Sequence, residues 1–306
     1  MEYELIIIGA GPAGTAAGVY AARKQLKTLL IAQEFGGQSI VSETIYNWIG
    51  SPEIGGGELA ESFKKHLEYY QGEFLKLEMG TLVTTIEQNG DGFTVTTGRG
   101  DSFTTQAILI ATGSGRRKLT VPGADTFDNK GVVYCASCDG PLFSGQDVAV
   151  IGGGNAGFES ASQLAQYCKS VTILQRSDVY KAEQVTVEKI LARPNVTGIL
   201  NADITEVLGD KFVSGLTYKD EKGDIQKLDV TGIFVEIGQI PNTAFAENIV
   251  ELDEFKRITI DPWTQRSSTP GIWVAGDCSD VLYHQNNIAA GDGVRALEDI
   301  YNYLYA

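Results

Sequence analysis

Two cysteines separated by two residues carry the most direct chemical signal in this 306-residue chain. Cys135 and Cys138 enclose Ala-Ser and are followed at once by Asp139. Such a pair can be a redox disulfide, half of a zinc site or a structural thiol pair, and zinc would need two more soft ligands. The other cysteines and the histidines are isolated along the chain: Cys168, Cys278, His66 and His284. We therefore favour a redox disulfide and predict no metal site, with Cys168 interpreted as a packing residue and Cys278 given no catalytic role.

Asp139 has two possible roles beside this pair. As a carboxylate next to two thiols it can serve as the acid or base that manages protons during disulfide exchange. It can equally be an acidic residue in the first turn of a helix, because the motif is expected to open one. The same helix N-terminus would lower the thiol pKa.

The elements that must position this chemistry form two copies of one pattern, strand, glycine turn, helix and strand. The glycine turns begin 143 residues apart. This pattern is the βαβ unit that binds a dinucleotide, with the pyrophosphate at the helix N-terminus. Two such sites on one chain suggest a flavin in one and a nicotinamide in the other. The predicted segments are residues 3–8, 9–14, 15–23 and 28–31, then 148–151, 152–157, a helix that follows this turn and ends near residue 167, and 171–174.

The glycines of each turn have separate tasks: the first makes the tight turn, the second admits the pyrophosphate, and the third lets helix pack on strand. One such motif is weak evidence, but two with the right flanks make coincidence improbable. The candidate cofactor-binding residues are Gly9, Gly11, Pro12, Ala13 and Gly14 in the first turn, and Gly152, Gly154, Asn155, Ala156 and Gly157 in the second.

Between and within these units the chain alternates and turns in a way typical of antiparallel strands. The pattern predicts a small meander over residues 82–105, a separate buried strand over residues 107–110, and a hairpin over residues 212–230. The predicted fold is α/β, with two Rossmann-like dinucleotide-binding domains of three-layer ββα architecture, the second inserted into the first. The first domain would comprise residues 1–115 and 244–306, and the second, inserted domain residues 116–243.

Composition narrows the function classes. Lys and Arg number 24 against 39 Asp and Glu, so the net charge is −15 and a nucleic-acid role is improbable. No apolar run approaches the ~18 residues of a membrane span. The start of the chain carries no basic signal region, and four cysteines are too few for a disulfide scaffold, so we expect a cytoplasmic protein.

The motifs, taken in order, resemble those of the low-molecular-weight thioredoxin reductases and of the flavoprotein core of alkyl hydroperoxide reductase, which share one fold. The similarity covers essentially the whole chain. Three segments look closer to the hydroperoxide-reductase type: residues 35–38, 138–143 and 232–238. The motifs that carry the resemblance are residues 9–14, 36–38, 47–48, 111–113, 135–140, 152–157, 275–277 and 283–285.

The resemblance implies FAD on the first glycine turn. Gln38 and Asn47 would approach the flavin, Asp277 would bind the ribityl chain or phosphate, and residues 285–288 would open the last helix beneath the isoalloxazine, where its dipole favours an anion. Glu34 lies near the place of a ribose-binding acid, and its role is left open. The remaining implied cofactor positions are Gly37, Ala111, Thr112, Gly113, Gly276, His284, Gln285 and Asn286.

The resemblance also assigns the cysteines. Cys138 would face the flavin and form a charge-transfer contact as the thiolate, and Cys135 would attack the disulfide of a thioredoxin- or glutaredoxin-like partner. The hydroperoxide-reductase type carries a preceding thioredoxin-fold segment, whereas this chain starts at the FAD strand, so we expect a separate acceptor protein. A homodimer is implied, as is rotation of the inserted domain about joints near residues 116–122 and 241–242.

The nicotinamide preference is the least defined. NADPH-using members carry His-Arg-Arg, three residues and Arg after the second strand, and this chain has Gln175, Arg176, Ser177 and Lys181 there. NAD enzymes place an acid where Gln175 stands, 21 residues past Gly154. Arg176 and Lys181, with the Ser177 hydroxyl, can still contact a 2′-phosphate. We favour NADPH over NADH, with a ferredoxin-type donor as a third possibility.

Two other classes carry part of this pattern. Ferredoxin–NADP reductases and flavin monooxygenases also have paired dinucleotide turns but need no cysteine pair between them. A flavin-binding module without activity would explain the turns alone. The favoured function is a thioredoxin-disulfide reductase, with a hydroperoxide-reductase-type NADH flavoprotein feeding a peroxiredoxin system as the alternative.

Overall fold

The chain forms two compact units in a computed structural model that describes residues 2–42, 44–45 and 47–305. Unit 1 combines Met1–Gly115 with Ile240–Ala306, and unit 2 is Arg116–Gln239. The first boundary coincides with the sequence expectation, and the second falls four residues before the expected position at 243/244.

The strands, in chain order, are β1 (Tyr3–Ala10), β2 (Thr28–Phe35), β3 (Leu75–Met79), β4 (Val83–Asn89), β5 (Gly92–Thr97), β6 (Ser102–Ile110), β7 (Ser114–Arg116), β8 (Val132–Val133), β9 (Asp147–Ile151), β10 (Ser170–Leu174), β11 (Val196–Ile199), β12 (Asp203–Gly209), β13 (Val213–Lys219), β14 (Ile225–Leu228), β15 (Gly232–Val235), β16 (Gln239–Pro241) and β17 (Ile272–Val274).

The α-helices are α1 (Pro12–Arg23), α2 (Gly56–Tyr70), α3 (Ala136–Asp139), α4 (Asn155–Leu164), α5 (Gln184–Leu191) and α6 (Asn286–Tyr305). Short 3-10 turns occupy Gly37–Val41, Gly140–Phe143 and Ala244–Ala246. Among the described residues, no helix has both the length and the apolar character needed to cross a membrane.

Unit 1 is built on one mixed sheet in the order β3-β2-β1-β6-β5-β4, with β17 also paired to β6. Strands β1, β2, β3, β6 and β17 are parallel, and β4, β5 and β6 form an antiparallel meander. The prediction of two separate strands at 102–105 and 107–110 was wrong, because both belong to β6. The polar residue between them, Gln106, is exposed, so the alternation of buried and exposed positions continues through it.

The helices of unit 1 approach each other closely through small residues. A Cβ on Gly293 of α6 would lie 2.2 Å from the carbonyl oxygen of Ala13 in the first turn of α1. Further along α1, a Cβ on Gly18 would lie 2.8 Å from a methyl of Leu67 in α2. One hydrophobic core lies between these helices and the sheet, and a second lies on the other face beneath the β4–β5 hairpin.

Unit 2 has three layers. A parallel sheet in the order β11-β10-β9-β15-β8 carries α4 and α5 on one face and the antiparallel sheet β12-β13-β14 on the other. The β13–β14 hairpin is where the sequence predicted it, and β12, with its half-polar sequence, was missed. The two-domain α/β prediction is confirmed.

The chain passes from one unit to the other twice, in β7 and in β16, and these two short strands pair with each other. Arg117 N–H donates to the carbonyl of Gly238, and Asn242 N–H donates to that of Gly113. The division between Gln239 and Ile240 lies inside β16, before the Pro-Asn pair at 241–242.

The close approach of α6 to α1 predicts a large difference between two glycines of the same helix. Gly293→Ala should destabilise the protein by about 1–3 kcal/mol, because the new methyl meets backbone that cannot move aside. Gly291→Ala, at an exposed position with open space, should stabilise the helix by about 0.5–1 kcal/mol. Urea unfolding of both variants measures this, and equal free energies of unfolding would contradict the packing.

Candidate functional site

The cysteine pair lies on a single helical turn directly after the edge strand β8. Cys135 and Cys138 form a disulfide with their Cα atoms 5.3 Å apart, and both residues are half-buried. Cys135 is the N-cap of α3, and its Sγ accepts a hydrogen bond of 3.2 Å from the Cys138 amide. The expected helix is present but has only four residues and continues as a 3-10 turn.

Asp139 is the acid of this site. Burial raises the pKa of its carboxyl to about 6, and the positive charge of Arg116 partly opposes that rise. A carboxyl with a pKa near neutrality can both accept and return a proton at physiological pH. A carboxyl with a raised pKa therefore lies directly next to Cys138 in the sequence.

Arg116 belongs to a buried polar group that the sequence reasoning missed. Its Nη1 lies 3.8 Å from Oε2 of Glu236, and the other oxygen of Glu236 accepts a 2.6 Å hydrogen bond from the Ser160 hydroxyl. Burial raises the pKa of Glu236, and Ser160 and Arg116 oppose that rise. The available signal was the run of three basic residues at 116–118 in a strongly acidic chain.

The first glycine turn has the backbone contacts that its sequence predicts. Gly9 has a φ of +113°, and a Cβ there would lie 2.2 Å from the carbonyl oxygen of Ala111. A Cβ on Gly14 would lie 1.9 Å from the carbonyl oxygen of Gly9. Gly11 is the N-cap of α1 and has no side chain to cover the amides of the first turn. That helix end is therefore suited to a phosphate.

Polar side chains near the start of α6 surround the same region. Asn47 Nδ2 donates to Gln285 Oε1 at 3.1 Å, and Ser39 Oγ donates to Asn286 Oδ1 at 3.1 Å. These contacts bring Ser39 and Asn47 to the start of α6, the helix that the resemblance implies beneath the flavin, and Gln38 next to Ser39 is exposed.

Two buried polar atoms beside Gly276 have no hydrogen-bond partner within the described residues. His284 Nδ1 lies 3.4 Å from Asp277 Oδ1 but makes no hydrogen bond, and Asp292 Oδ2 is unpartnered on a side chain that is almost fully buried. Burial raises the pKa of Asp292. Unsatisfied polar atoms beside a phosphate-binding turn fit a polar ligand such as the ribityl pyrophosphate of FAD. Asp292 was not among the sequence candidates.

Two candidates differ in setting from the sequence expectation. Strand β2 continues to Phe35 instead of ending at residue 31, so Glu34 lies within the strand and is exposed. The Thr112 hydroxyl donates to the carbonyl of Asn242 at 2.7 Å, and the Asn242 amide donates back to the Thr112 carbonyl. Thr112 therefore joins the 111–113 turn to the segment that follows β16.

The second glycine turn repeats the first. Gly152 has a φ of +123°, and a Cβ there would lie 2.2 Å from the carbonyl oxygen of Glu236. A Cβ on Gly157 would lie 1.9 Å from the Gly152 carbonyl oxygen. Gly154 is the N-cap of α4, and Asn155 Oδ1 accepts from the Glu183 amide.

Gln175 closes the loop over this turn. Its Oε1 accepts from the Gly153 amide at 3.0 Å, and its Nε2 donates to Ser177 Oγ at 2.6 Å and to the Val179 carbonyl at 3.1 Å. Both amide hydrogens of Gln175 are thus used within the loop. Arg176 and Lys181 are exposed, and neither has an ion pair within the described part of the chain.

The other two cysteines are buried, and burial raises the pKa of each thiol to about 11. Cys168 donates to the Phe143 carbonyl and Cys278 to that of Ile110. Both thiols are therefore protonated packing groups. Over residues 2–42, 44–45 and 47–305, no cluster of three His, Cys, Asp or Glu side chains is arranged to hold a metal.

Comparison with known proteins shows which family this chain is similar to. Residues 3–293 match the family model described as pyridine nucleotide-disulphide oxidoreductase. The chain is 40% identical over 304 residues to a subunit of alkyl hydroperoxide reductase from Escherichia coli K12 and 38% identical over 303 residues to a protein named NADH dehydrogenase from Bacillus subtilis 168. Each alignment covers 99% of this chain, which spans only 58% of the length of either relative.

A solved structure extends the comparison to the fold. Thioredoxin reductase from Streptococcus pyogenes MGAS5005 superimposes with a TM-score of 0.90 at 34% identity, covering 99% of this chain and 98% of that one. The resemblance drawn from the motifs is thereby confirmed.

The site predicts a specific electrostatic role for Arg116. Arg116→Gln should raise the pKa of Asp139 above its value of about 6, by up to about one unit, because a nearby positive charge favours the carboxylate. Carbon-13 NMR titration of the aspartate carboxyls measures the shift, with Asp139→Asn to assign the signal. Since the folded pKa lies above the ordinary 3.8, the contribution of Asp139 to stability is lost as the pH rises to about 6, and the variant should extend that loss upward.

Lys118→Gln is the matched control. Lys118 pairs with Asp128 at 2.5 Å and does not act on Asp139. Equal shifts in the two variants, or none in Arg116→Gln, would contradict the assignment.

Proposed function

The chain belongs to the pyridine nucleotide-disulphide oxidoreductase family, and we propose that within it the protein is a flavin-dependent disulfide reductase. Electrons would pass from a nicotinamide nucleotide through FAD to the Cys135–Cys138 disulfide and then to a thioredoxin- or glutaredoxin-like protein. The observation that carries this proposal is the disulfide with a carboxyl of pKa about 6 beside it, on a chain with two dinucleotide turns.

The exchange with the partner balances as two sulfur displacements. The reduced Cys135 thiolate attacks one sulfur of the partner disulfide, so a Cys135–partner bond forms, the partner disulfide breaks, and its second sulfur leaves as a thiolate. The Cys138 thiolate then attacks Cys135, restoring the disulfide and releasing the partner's first sulfur. Two electrons move to the partner, and both of its sulfurs end as thiols.

Asp139 would accept and return the protons that these steps require. As a carboxylate it accepts the proton that a cysteine must lose before it attacks, and as an acid it returns a proton to the departing sulfur. A pKa of about 6 leaves both forms accessible near neutral pH, whereas an ordinary aspartate would be a poor donor there.

Unit 1 offers the residues that would hold FAD. The amides following Gly11 would bind the pyrophosphate, and Asp277 would bind the ribityl chain or phosphate. The N-terminus of the twenty-residue helix α6, opened by Asn286, would stabilise negative charge on its ligand. When bound, FAD accepts a hydride from the nicotinamide and delivers two electrons to a disulfide.

The second turn would take the nicotinamide nucleotide, and we propose NADPH. No acid stands at Gln175 to repel a 2′-phosphate, and the exposed charges of Arg176 and Lys181 can meet one. Gln175 itself acts as the brace of the loop, since both of its amide hydrogens are used.

One of the two alternatives has a specific observation behind it. One curated relative is named a subunit of alkyl hydroperoxide reductase and another is named NADH dehydrogenase, which favours NADH and a peroxiredoxin system as the electron route. A ferredoxin-type donor would apply if neither nucleotide reduced the protein. A homodimer and a cytoplasmic location stay predictions from the resemblance.

The proposed route predicts that the two halves of the reaction separate in one variant. Cys135→Ser should retain bound FAD and its bleaching by nicotinamide nucleotide, because the flavin site is untouched. It should lose reduction of a thioredoxin- or glutaredoxin-like disulfide by on the order of a thousandfold or more, since the attacking sulfur is gone. Anaerobic absorbance and an insulin-type disulfide assay measure the two halves.

Cys168→Ser is the control, because Cys168 is a buried packing thiol in the same unit. It should leave both halves intact. Normal partner reduction by Cys135→Ser would overturn the route, and a folded protein without flavin would overturn the cofactor assignment.

The nicotinamide proposal predicts a phosphate-dependent effect. Arg176→Gln/Lys181→Gln should slow flavin bleaching by NADPH about tenfold or more while leaving NADH almost unchanged, because only NADPH carries the 2′-phosphate. Lys169→Gln, which removes a lysine paired with Asp147 at the opposite end of β10, should change neither rate. A wild-type rate with NADH about tenfold above that with NADPH would reverse the assignment.

A further inference from the structure

The two residues between the redox cysteines are held by one side chain of α4. Gln163 Nε2 donates to the carbonyl of Ala136 at 3.2 Å, and Gln163 Oε1 accepts from the Ser137 hydroxyl at 3.0 Å. Both polar ends of the amide are thus used on the intervening dipeptide, so one side chain clamps both of its residues to the helix.

A second contact from the same helix fixes the far end of the motif. A Cβ on Gly140 would lie only 2.1 Å from the hydroxyl of Tyr167, which follows α4, and 3.1 Å from a methyl of Leu164 at the end of that helix. A side chain at 140 would therefore require the Tyr167 hydroxyl or the turn itself to move. The segment from Ala136 to Gly140 is held against α4 at its start and at its end.

The hydrogen bonds from Gln163 to Ala136 and Ser137 act on the segment that joins the two cysteines. The amide of Cys138 donates to Cys135 Sγ at 3.2 Å across this dipeptide. While the disulfide is intact, the covalent bond keeps that amide near the sulfur. Once the disulfide is reduced, a four-residue helix has little stability of its own, so side-chain contacts must hold the turn.

We propose that Gln163 is a positioning residue for thiol–disulfide exchange, which keeps the Cys138 amide on the Cys135 sulfur after the disulfide opens. A hydrogen bond from an amide stabilises a thiolate relative to a thiol, so the attacking form of Cys135 is favoured. The consequence for partner reduction rests on the proposed function, whereas the effect on the thiol itself does not.

Other titratable and charged groups belong to the same part of unit 2. Asp139 lies on α3, Arg116 on β7, Glu236 follows β15, and Tyr167 follows α4. Asp139 and Glu236 oppose a thiolate when they are ionised, and Arg116 favours it. Variants at Gln163 leave Asp139, Arg116 and Glu236 in place but also remove the interaction of Gln163 with the Tyr167 hydroxyl. Ser137→Ala, which loses only its own bond to Gln163, separates the effect on the dipeptide from the effect on Tyr167.

The test is alkylation of the fully reduced holoenzyme by iodoacetamide across pH 5–10, with peptide mass spectrometry to follow Cys135 separately from the other thiols. Gln163→Leu should move the pH of half-maximal alkylation upward by about half to one unit and slow the reaction at pH 6 about three- to tenfold.

Gln166→Leu is the matched control, because Gln166 lies just after the same helix and its side chain bonds to the carbonyl of Ser162, away from the cysteines. If Gln163→Leu fails to fold, Ser137→Ala removes one of the two bonds at an exposed position and should give a smaller shift in the same direction. A Cys135 profile that matches the control in the Gln163 or Ser137 variants would overturn the proposal. A shifted profile in a protein that never reduces a partner would support the role of Gln163 and contradict only the proposed function.

Discussion

A close backbone contact at the first glycine of each dinucleotide turn is the constraint on which the rest of each unit's site depends. This glycine lies so near the carbonyl of a residue following a neighbouring parallel strand that a Cβ would stand 2.2 Å from the oxygen. That carbonyl belongs to Ala111 in unit 1 and to Glu236 in unit 2. Only glycine allows the contact, and the contact fixes where each helix begins. The amides at the helix N-terminus then face the place where a pyrophosphate would bind.

In unit 2, Glu236 also belongs to a chain of polar interactions that extends toward the disulfide. The backbone of Glu236 supports the glycine turn, while its side chain accepts from Ser160 and lies near Arg116, whose charge acts on Asp139. A buried carboxylate needs such partners, because desolvation opposes its charge. The dinucleotide turn and the acid beside the cysteines are therefore linked through one small network within the unit.

Helix α4 connects the same two places mechanically. Its first turn follows Gly154, Ser160 bonds to Glu236, and Gln163 holds the dipeptide between the cysteines. The residues just after the helix then pack under Gly140. This one helix of ten residues thus contacts both the second glycine turn and the cysteine pair, whose own helical turn has only four residues.

The sequence by itself determined the elements whose signals are local: the two glycine turns with their flanks, the hairpin at residues 83–97, the cysteine pair and the two-domain α/β class. Tertiary structure alone decided what depends on residues far apart. It joined two expected strands into β6, moved the second boundary into β16, and used Gln175 as a loop brace. It also assembled Arg116 with Glu236, and Gln163 with Ala136 and Ser137. A hydrogen bond or a charge acts through a few ångströms of space, and residues 116 and 236, which are 120 positions apart in the sequence, come within that range only in the folded unit.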